Sequence, residues 1–575
     1  MNALYDLAQR TTGHEDSVTR ITSVARKRER WLFIVILACT LGMMPIMSYT
    51  QGQLGFTLTM GLLVVAVIVV LMARWPIFGF YTLLACAVLV EQDPLPYPIF
   101  TDHLYVFSWP AQFQGLPERP IGFLAIFILL LVIIQRLAGR KGVALRLGPL
   151  ILPFLVLIVG VTVGIVHGLS SGGDGRIIVL EVRPFWYLFI NYLLAYNLVS
   201  EKRHVLGLLW ITVVGTFIKA LQGVYIVLGP LGGHISGQNE IMAHEQSFFF
   251  VLVLVLILLC MWLDRLRWLL WVALMSTPFL IVALLANNRR ADYAAFLIGA
   301  VCAWALVVAT QPQRRASLIV GMCFTFMFVG AYVLIFQHVS GAVGAPANAI
   351  VSILHPSAAD VRDQSSNMYR YIEDFDLMFT EKQSPLLGYG FGRPFMQPMV
   401  LPNIISLDPY YLYIPHNTVL WVWMRLGPLG FGALFYLLGS FVVRSGIIAR
   451  TIRDRDLQLV AIFAVAVVMI EIPLAYGDYQ LFFYRNIFYL GLLMGLLARL
   501  PAIDQKLAEQ AVADHAAEAA ALAAVRQRFG AVVIDSDAVS AQSKEQDPSS
   551  ETLRPERAPV RESGEYVRMA LRELR

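Results

Sequence analysis

Two arginines in tandem, Arg289 and Arg290, occupy a very short polar turn, Ala286 to Asp292, between two long apolar runs. Guanidinium groups are planar forks of N–H donors that match phosphate oxygens two at a time, and they bind more strongly where water is partly excluded. The pair is a candidate anion site; the alternative is that Asp292 simply neutralises one of them. Arg183, just before the apolar run that opens at Pro184, and Lys219, Glu471 and Arg485 lie at a similar depth in other runs. An ionisable group at membrane depth is costly unless paired or hydrated, so each is a functional candidate. Their blander readings are an ion pair between Arg485 and Glu471, and a Lys219 that snorkels to the interface. Further along, Tyr413 to Gly430 reads YIPHNTVLWVWMRLGPLG. Pro415 disfavours helix before it, which leaves His416 and Asn417 at the start of the next helix. An imidazole there can take a proton near neutral pH, or can serve as a cap or a hydrogen-bonded interface residue.

Such groups need elements to hold them, and the composition says which. Of 575 residues, 58% are hydrophobic and 14% charged, with a mean hydropathy of +0.66, too much apolar surface for an ordinary soluble core. The apolar runs are long enough for an α-helix to cross roughly 30 Å of hydrocarbon. Short alternating strands of a barrel are not seen. The runs predict an all-α polytopic membrane bundle of about fourteen helices. They fall near 31–47, 54–73, 77–91, 120–135, 148–166, 184–199, 205–228, 247–263, 268–287, 291–310, 316–337, 417–443, 457–475 and 480–498. With the N-terminus inside the cell, the inner loops carry about 21 Lys and Arg and the short outer loops about five, the positive-inside pattern. Arg289 and Arg290 are exceptions to that bias. The first run lacks a small-residue cleavage pattern and is expected to stay as a helix. All five cysteines lie inside apolar runs and are expected to pack there. A net charge of +5 is too small to imply a nucleic-acid partner.

Outside the membrane, residues 338–415 form a long outer connection with a helix-like piece, Met368 to Phe379. Its aromatic residues, Tyr389 and Phe391 among them, argue for order. Gly388, Gly390 and Gly392 could cradle phosphate, although a tight turn fits better because no strand precedes them and no Lys-Ser follows. Glu373, Asp374, Asp376 and Asp408 read either as solvated surface and turn, or as sugar contacts and alternative bases. The expected organisation is a cytoplasmic segment 1–30, N-terminal spans 31–147, a membrane domain 148–499 that includes the connection 338–415, and a cytoplasmic tail 500–575. The tail is read as an Ala-rich helix, Ile503 to Arg528, followed by a polar disordered stretch. No carboxylate cluster or histidine motif has metal-ligand spacing, so neither metal nor cofactor is expected.

Four stretches resemble the O-antigen ligase and polymerase family of bacterial multi-span glycosyltransferases. They are GHISGQNEIMAH (Gly233 to His244), ANNRRADYAAF (Ala286 to Phe296), NMYRYIEDFDLMFTEKQSPLLGYGFGRPF (Asn367 to Phe395) and PHNTVLWVWMRLGPLGF (Pro415 to Phe431). The likeness covers roughly residues 150–500. It implies catalytic roles for His416, Arg290 and Arg370, and substrate-binding roles for Arg289, Asn417 and Asn239; Arg183 and Arg485 join the latter by their depth. Two positions depart from the family pattern: Arg289 stands where a serine is usual, and Arg425 where an acid is common. The resemblance implies an undecaprenyl-diphosphate-linked glycan donor, a glycan or lipid A-core acceptor, contact with membrane lipid, a possible chain-length regulator, and periplasmic chemistry at the bacterial inner membrane. Polymerisation is preferred to ligation, because the extra spans and long tail depart from the compact ligase plan. Alternative readings are a transporter or flippase of lipid-linked glycan and a protein O-oligosaccharyltransferase.

Overall fold

The computed structural model describes residues 66–544 apart from 68, 93–96, 98–105, 108–117, 139–144, 235–240, 340, 342, 356–360 and 406–408. The expected span at 31–47, most of that at 54–73, residues Asn239 and Asp408, and the tail beyond 544 lie outside the described residues. Among those described, regular structure is helical, with no strand. In chain order the helices are α1 (Ile77–Leu89), α2 (Pro120–Ala138), α3 (Ile151–Ser170), α4 (Gly175–Leu198), α5 (Lys202–Leu228), α6 (His244–Leu263), α7 (Arg267–Asn287), α8 (Arg290–Thr310), α9 (Arg315–Phe336), α10 (Ala345–Leu354), α11 (Val361–Glu381), α12 (Thr418–Thr451), α13 (Arg455–Gly477) and α14 (Tyr484–Lys544). Eleven described helices are long and apolar enough to cross a bilayer, and α1 and α10 are shorter apolar helices. The protein is a multi-pass all-α membrane protein, as its uninterrupted apolar runs require: only a helix satisfies its own backbone in hydrocarbon.

Helices α6 and α13 bury residues on every face and form the centre of the bundle. Around them, α13 packs on α8, α12 and α6, α5 packs on α7 and α1, and α12 packs on α3. Two contacts run backbone to backbone through glycines spaced four apart. On α14, a side chain at Gly491 or Gly495 would meet the carbonyl oxygens of Leu188 or Tyr192 on α4 at 2.7 and 2.3 Å. On α3, Gly160 faces Gly430 of α12, and Gly164 and Gly168 face Phe391. Small residues at this spacing let helices approach closely without a hydrophobic drive between them.

Three boundaries differ from the sequence expectation. Helix α4 starts at Gly175, because Asp174 caps it by accepting from the Arg176 N–H at 2.7 Å. Arg183 therefore lies inside a helix that continues through Pro184 rather than ahead of one. Helix α14 runs unbroken from Tyr484 through Pro501, so the Ala-rich stretch continues the last span and is not a separate helix. The chain divides into two units after Asp504; the described part of the second is the remainder of α14, exposed over most of residues 505–524. The third difference is a break in α12 at Gly427, which has φ 62° and ψ −173°. Pro428 forces an extended ψ on the residue before it and then opens the second half of the helix.

That break anchors the outer connection. It leaves carbonyls of the preceding turn without helical partners, and the Met424 and Arg425 carbonyls accept from the Tyr389 and Gly390 N–H groups at 2.6 and 3.1 Å. The Phe391 N–H donates to the Gly164 carbonyl at 3.2 Å, and the Gly392 N–H to the Glu181 carboxylate at 2.5 Å. With those N–H groups spent on protein acceptors, the run is a turn wedged between helices and not a phosphate cradle. Gly388, Gly390 and Gly392 all have φ between 75° and 82°, and a Cβ on Gly390 would stand 2.6 Å from the Gly168 nitrogen. Gly172 has φ 85° with nothing within 4 Å. Gly172→Ala should therefore cost only the left-handed penalty of about 1–2 kcal/mol. Gly390→Ala should cost roughly twice that or more, since backbone must also move. Thermal unfolding in detergent checks this, and equal losses for the two variants would refute the wedge.

Candidate functional site

Helix α11 carries Asp363, Asn367, Arg370 and Asp374 at i, i+4, i+7 and i+11, which places them on one face. Its first turns engage the start of α8: the Arg290 Nε lies 3.1 Å from the Asp363 carboxylate, and the Arg290 Nη2 donates to the Asn367 Oδ1 at 2.8 Å. Its middle engages the start of α12. The buried Glu373 carboxylate accepts from the His416 backbone N–H at 2.9 Å and lies 3.2 Å from the His416 Nδ1. Asn417 donates to Asp374 at 3.0 Å and caps α12 by accepting from the Leu420 N–H at 3.1 Å. The helix is thus laid across two helix starts and pinned at both.

Beneath it, Asp478 follows the last residue of α13 and ties four helix ends together. Its buried carboxylate receives the Arg289 guanidinium at the start of α8, the His244 Nδ1 at the start of α6 at 2.9 Å, and the Gln480 amide at 3.2 Å. Its backbone carbonyl accepts from the Thr418 hydroxyl of α12 at 3.0 Å. The Tyr479 ring lies 6.2 Å from the His244 ring and 5.8 Å from that of His416, and Tyr369 lies edge-on to His416 at 5.5 Å. Between α7 and α8 the chain reverses at Asn288, with φ 48°, a left-handed position that asparagine tolerates better than most residues.

The groups bias one another's charge. Burial would raise the Asp478 carboxyl, but the neighbouring Arg289 and His244 hold it well below the usual carboxylate range. Burial disfavours a charged His416, yet the hydrogen bond and charge of Glu373, with Asp478 behind, outweigh it and raise the imidazole above its ordinary value. Burial pushes Asp374 up to about 6. Arg370 stands apart. Its half-buried guanidinium has neither hydrogen bond nor ion pair among the described residues, although Asp478, Arg289, Arg290 and Glu373 all act on its charge. Burial lowers its pKa, but a guanidinium remains charged. An unpartnered cation beside two other arginines and a carboxylate-backed imidazole suits a multiply charged, phosphate-like anion and a proton transfer next to it.

Of the residues expected from sequence, the structure brings together Arg289, Arg290, Arg370, His416 and Asn417, with the Asn417 amide already spent on the cap and on Asp374. Arg183 and Arg485 belong to a neighbouring network. Arg183 donates to the Tyr484 hydroxyl at 2.9 Å and faces Glu118 at 4.0 Å. Arg485 does not pair with Glu471. Its guanidinium reaches the Ala87 and Val88 carbonyls at the end of α1 at 2.8 and 2.7 Å, and Glu245 at 3.2 Å. A cation there meets the negative end of a helix; Glu471 is held instead by the Asn486 amide. Lys219 does not snorkel, being fully buried in an ion pair with Glu91. Glu373 and Asp376 are buried rather than solvated, and Asp376 accepts from the Met399 N–H at 3.0 Å. Sequence reasoning missed Asp478, and it named His244 only as the last residue of a quoted stretch, without a role. The one available signal was the Gly-Asp pair closing an apolar run, which marks a helix end.

Residues 275–436 match the family model described as O-antigen ligase. The match runs from inside α7 to inside α12 and contains Arg289, Arg290, Arg370 and His416, while Asp478 and His244 come from outside it. No curated protein matches the chain.

Replacing Asp478 by Asn should remove the counter-charge of Arg289 and His244 and destabilise the fold by about 3–5 kcal/mol, as breaking a buried pair does. Arg370→Ala breaks no internal bond and should cost under about 1 kcal/mol. Thermal scans of both variants in detergent check the contrast, and a comparable loss for Arg370→Ala would contradict it.

Proposed function

We propose, from the premise that residues 275–436 form an O-antigen ligase family domain, that this membrane protein is a glycosyltransferase using an undecaprenyl-diphosphate-linked glycan as donor on the periplasmic face of the bacterial inner membrane. The observation that carries the reading is Arg370, a guanidinium without an internal partner, set beside Arg290 and the His416–Glu373 pair. In this scheme Glu373 holds His416 through Nδ1, which leaves Nε2 to take the proton from an acceptor sugar hydroxyl. The freed oxygen bonds to the anomeric carbon of the donor as the bond from that carbon to the diphosphate oxygen breaks. Arg370 and Arg290, with Arg289 behind them, neutralise the charge that develops on the leaving diphosphate.

Two arguments support the face. The loops predicted to be cytoplasmic hold most of the Lys and Arg. Asp478 at one end of α13 and Asp454 at the other are separated by roughly 34 Å of helix, and the Asp454 end is where Lys202 and Arg265 gather, Lys202 on Asp454 and Asp456 and Arg265 on Asp456. The site is thus at the end away from the arginine-rich face. Polymerisation of repeat units and ligation to a lipid A-core differ only in the acceptor. The extra spans favour the first, and the description of the matched family favours the second. Gene disruption read on a glycan gel separates them: single-repeat chains mean polymerase, and absence of all long chains from lipopolysaccharide means ligase.

With purified lipid-linked donor, His416→Ala should lower transfer by about 10²–10⁴-fold while the protein inserts and folds; full activity would remove the base assignment. Arg370→Ala should weaken donor use by about 10–100-fold, the worth of a lost charged hydrogen bond, with only partial rescue by Arg370→Lys. Because the His416 pKa is raised, the base form is present only above that raised value, and the rate should climb with pH through it. Glu373→Gln removes the raising influence, so the rising limb should move to lower pH; an unmoved limb would mean that another group is the base.

A further inference from the structure

At the end of the bundle opposite His416, the ends of α2 and α4, the starts of α1 and α5, and Arg499 of α14 border a cavity of about 940 Å³. Arg499 in its wall is fifteen residues beyond Tyr484 on α14, roughly 22 Å of helix away. Among the described residues, the lining holds Arg74, Arg136, Arg146, Arg203 and Arg499, and no aspartate or glutamate. Topology asks for cations on this face but does not ask them to converge on one cavity. Their internal partners are few. Arg203 turns to Glu201 at 2.6 Å. Arg499 and Arg136 reach backbone carbonyls, those of Val199 at 3.2 Å and Asn197 at 3.4 Å, and Arg499 also lies over the Tyr196 ring at 5.4 Å, but neither has an ion pair among the described residues. The guanidinium of Arg146 has neither hydrogen bond nor ion pair among the described residues, and Arg74 lies over the Trp75 ring at 5.1 Å with no carboxylate bound. Arg146 and Arg499 are close enough to Arg136 to repel it. Like charges gathered around a low-dielectric space are unfavourable until an anion enters.

We propose that this cavity binds a phosphate-bearing anion, with Arg74, Arg136 and Arg146 as the groups that grip it. Guanidinium forks match the oxygens of a phosphate ester or diphosphate. The same cavity has an apolar side, Trp75, Ile77 and Val132, which suits the glycerol and acyl start of an anionic phospholipid, and basic pockets between spans at the inner leaflet bind such headgroups. A soluble diphosphate offers the same oxygens without the tail. The proposal does not rest on the glycan-transfer reading, because no residue of that site lines this cavity.

The test uses the full chain in detergent and in nanodiscs. Retention of dioleoylphosphatidylglycerol and of dioleoylphosphatidylcholine is measured by native mass spectrometry, and a parallel arm titrates inorganic pyrophosphate as a competitor. Phosphatidylglycerol should be retained in preference to phosphatidylcholine. Arg136→Gln/Arg146→Gln should weaken that retention about twenty-fold, since each basic group near an anionic lipid is worth about fivefold, and 0.5 M salt should erode it in the wild type. Displacement by pyrophosphate, or pyrophosphate binding with no lipid preference, would assign the site to a soluble anion and sustain the phosphate chemistry. Equal retention of both lipids together with indifference to pyrophosphate would overturn the proposal, as would a double variant that binds like the wild type. Arg74→Gln, whose side chain makes no internal hydrogen bond, serves if the double variant does not fold: it should lose about fivefold, and no loss would count equally against the proposal.

Discussion

A single buried carboxylate lets several cations share one end of the bundle. Arg289, Arg290, Arg370, His244 and His416 come from the starts of α6, α8 and α12 and from α11, and without counter-charge they would drive those elements apart. Asp478 supplies it at the centre, bonded to Arg289 and His244 and acting through space on Arg370 and His416. Asp363 and Glu373 complete the balance from α11. The result is uneven by construction: Arg289 and Arg290 are committed to protein carboxylates, and Arg370 is not. A site whose cations were all paired would have to break bonds to take an anion, whereas one free guanidinium held between two fixed ones keeps its binding capacity without that cost.

Holding α11 in place is a mechanical problem solved elsewhere. The outer connection is fixed to the bundle by the Gly388–Gly392 turn, seated in the break of α12, and by the buried ion pair between Arg425 and Glu181 at 2.6 Å. Arg425 also donates to the Gly390 and Tyr413 carbonyls at 3.0 and 3.1 Å, so one guanidinium joins α4, the glycine turn and the segment that leads into His416. A buried pair of this kind adds little net stability over an apolar substitute, but losing one partner is costly, so its use lies in fixing register. The acidic partner of Arg425 stands on α4 as Glu181.

The sequence made the helices legible because hydrocarbon imposes one requirement on every span, and it made Arg289 and Arg290 legible because they violate the charge bias of their face. His416 and Arg370 needed motif order as well. Asp478 escaped because nothing local marks it: one acid after Gly477 in a short turn reads as a helix end, and its partners lie far away in the chain, His244 some 230 residues before it and Arg289 some 190. Glu373 escaped for a different reason. An acid on a polar helix in a long connection looks solvated, and only the docking of α11 on α12 buries it. The Arg485–Glu471 pairing failed because depth alone was used to match partners, whereas the carbonyl end of α1 offered Arg485 a better site.

The distribution of uncompensated charge bears on whether a lipid-linked diphosphate would pass through the bundle or be worked on at one face, as proposed. On the site side of the bundle, buried ionisable groups are spent on each other: Glu181 on Arg425, Lys219 on Glu91, Arg485 on Glu245. A diphosphate passing through would need free donors along its path, and any pair it met would have to open, exposing a bare charge in a low-dielectric interior. Guanidinium groups without internal partners among the described residues are found instead at the ends, Arg370 beside His416 and Arg146 in the opposite cavity. Paired groups on the site side and cations without internal partners at the two rims describe a scaffold with separate surface sites, the arrangement that the proposed transfer at one membrane face calls for.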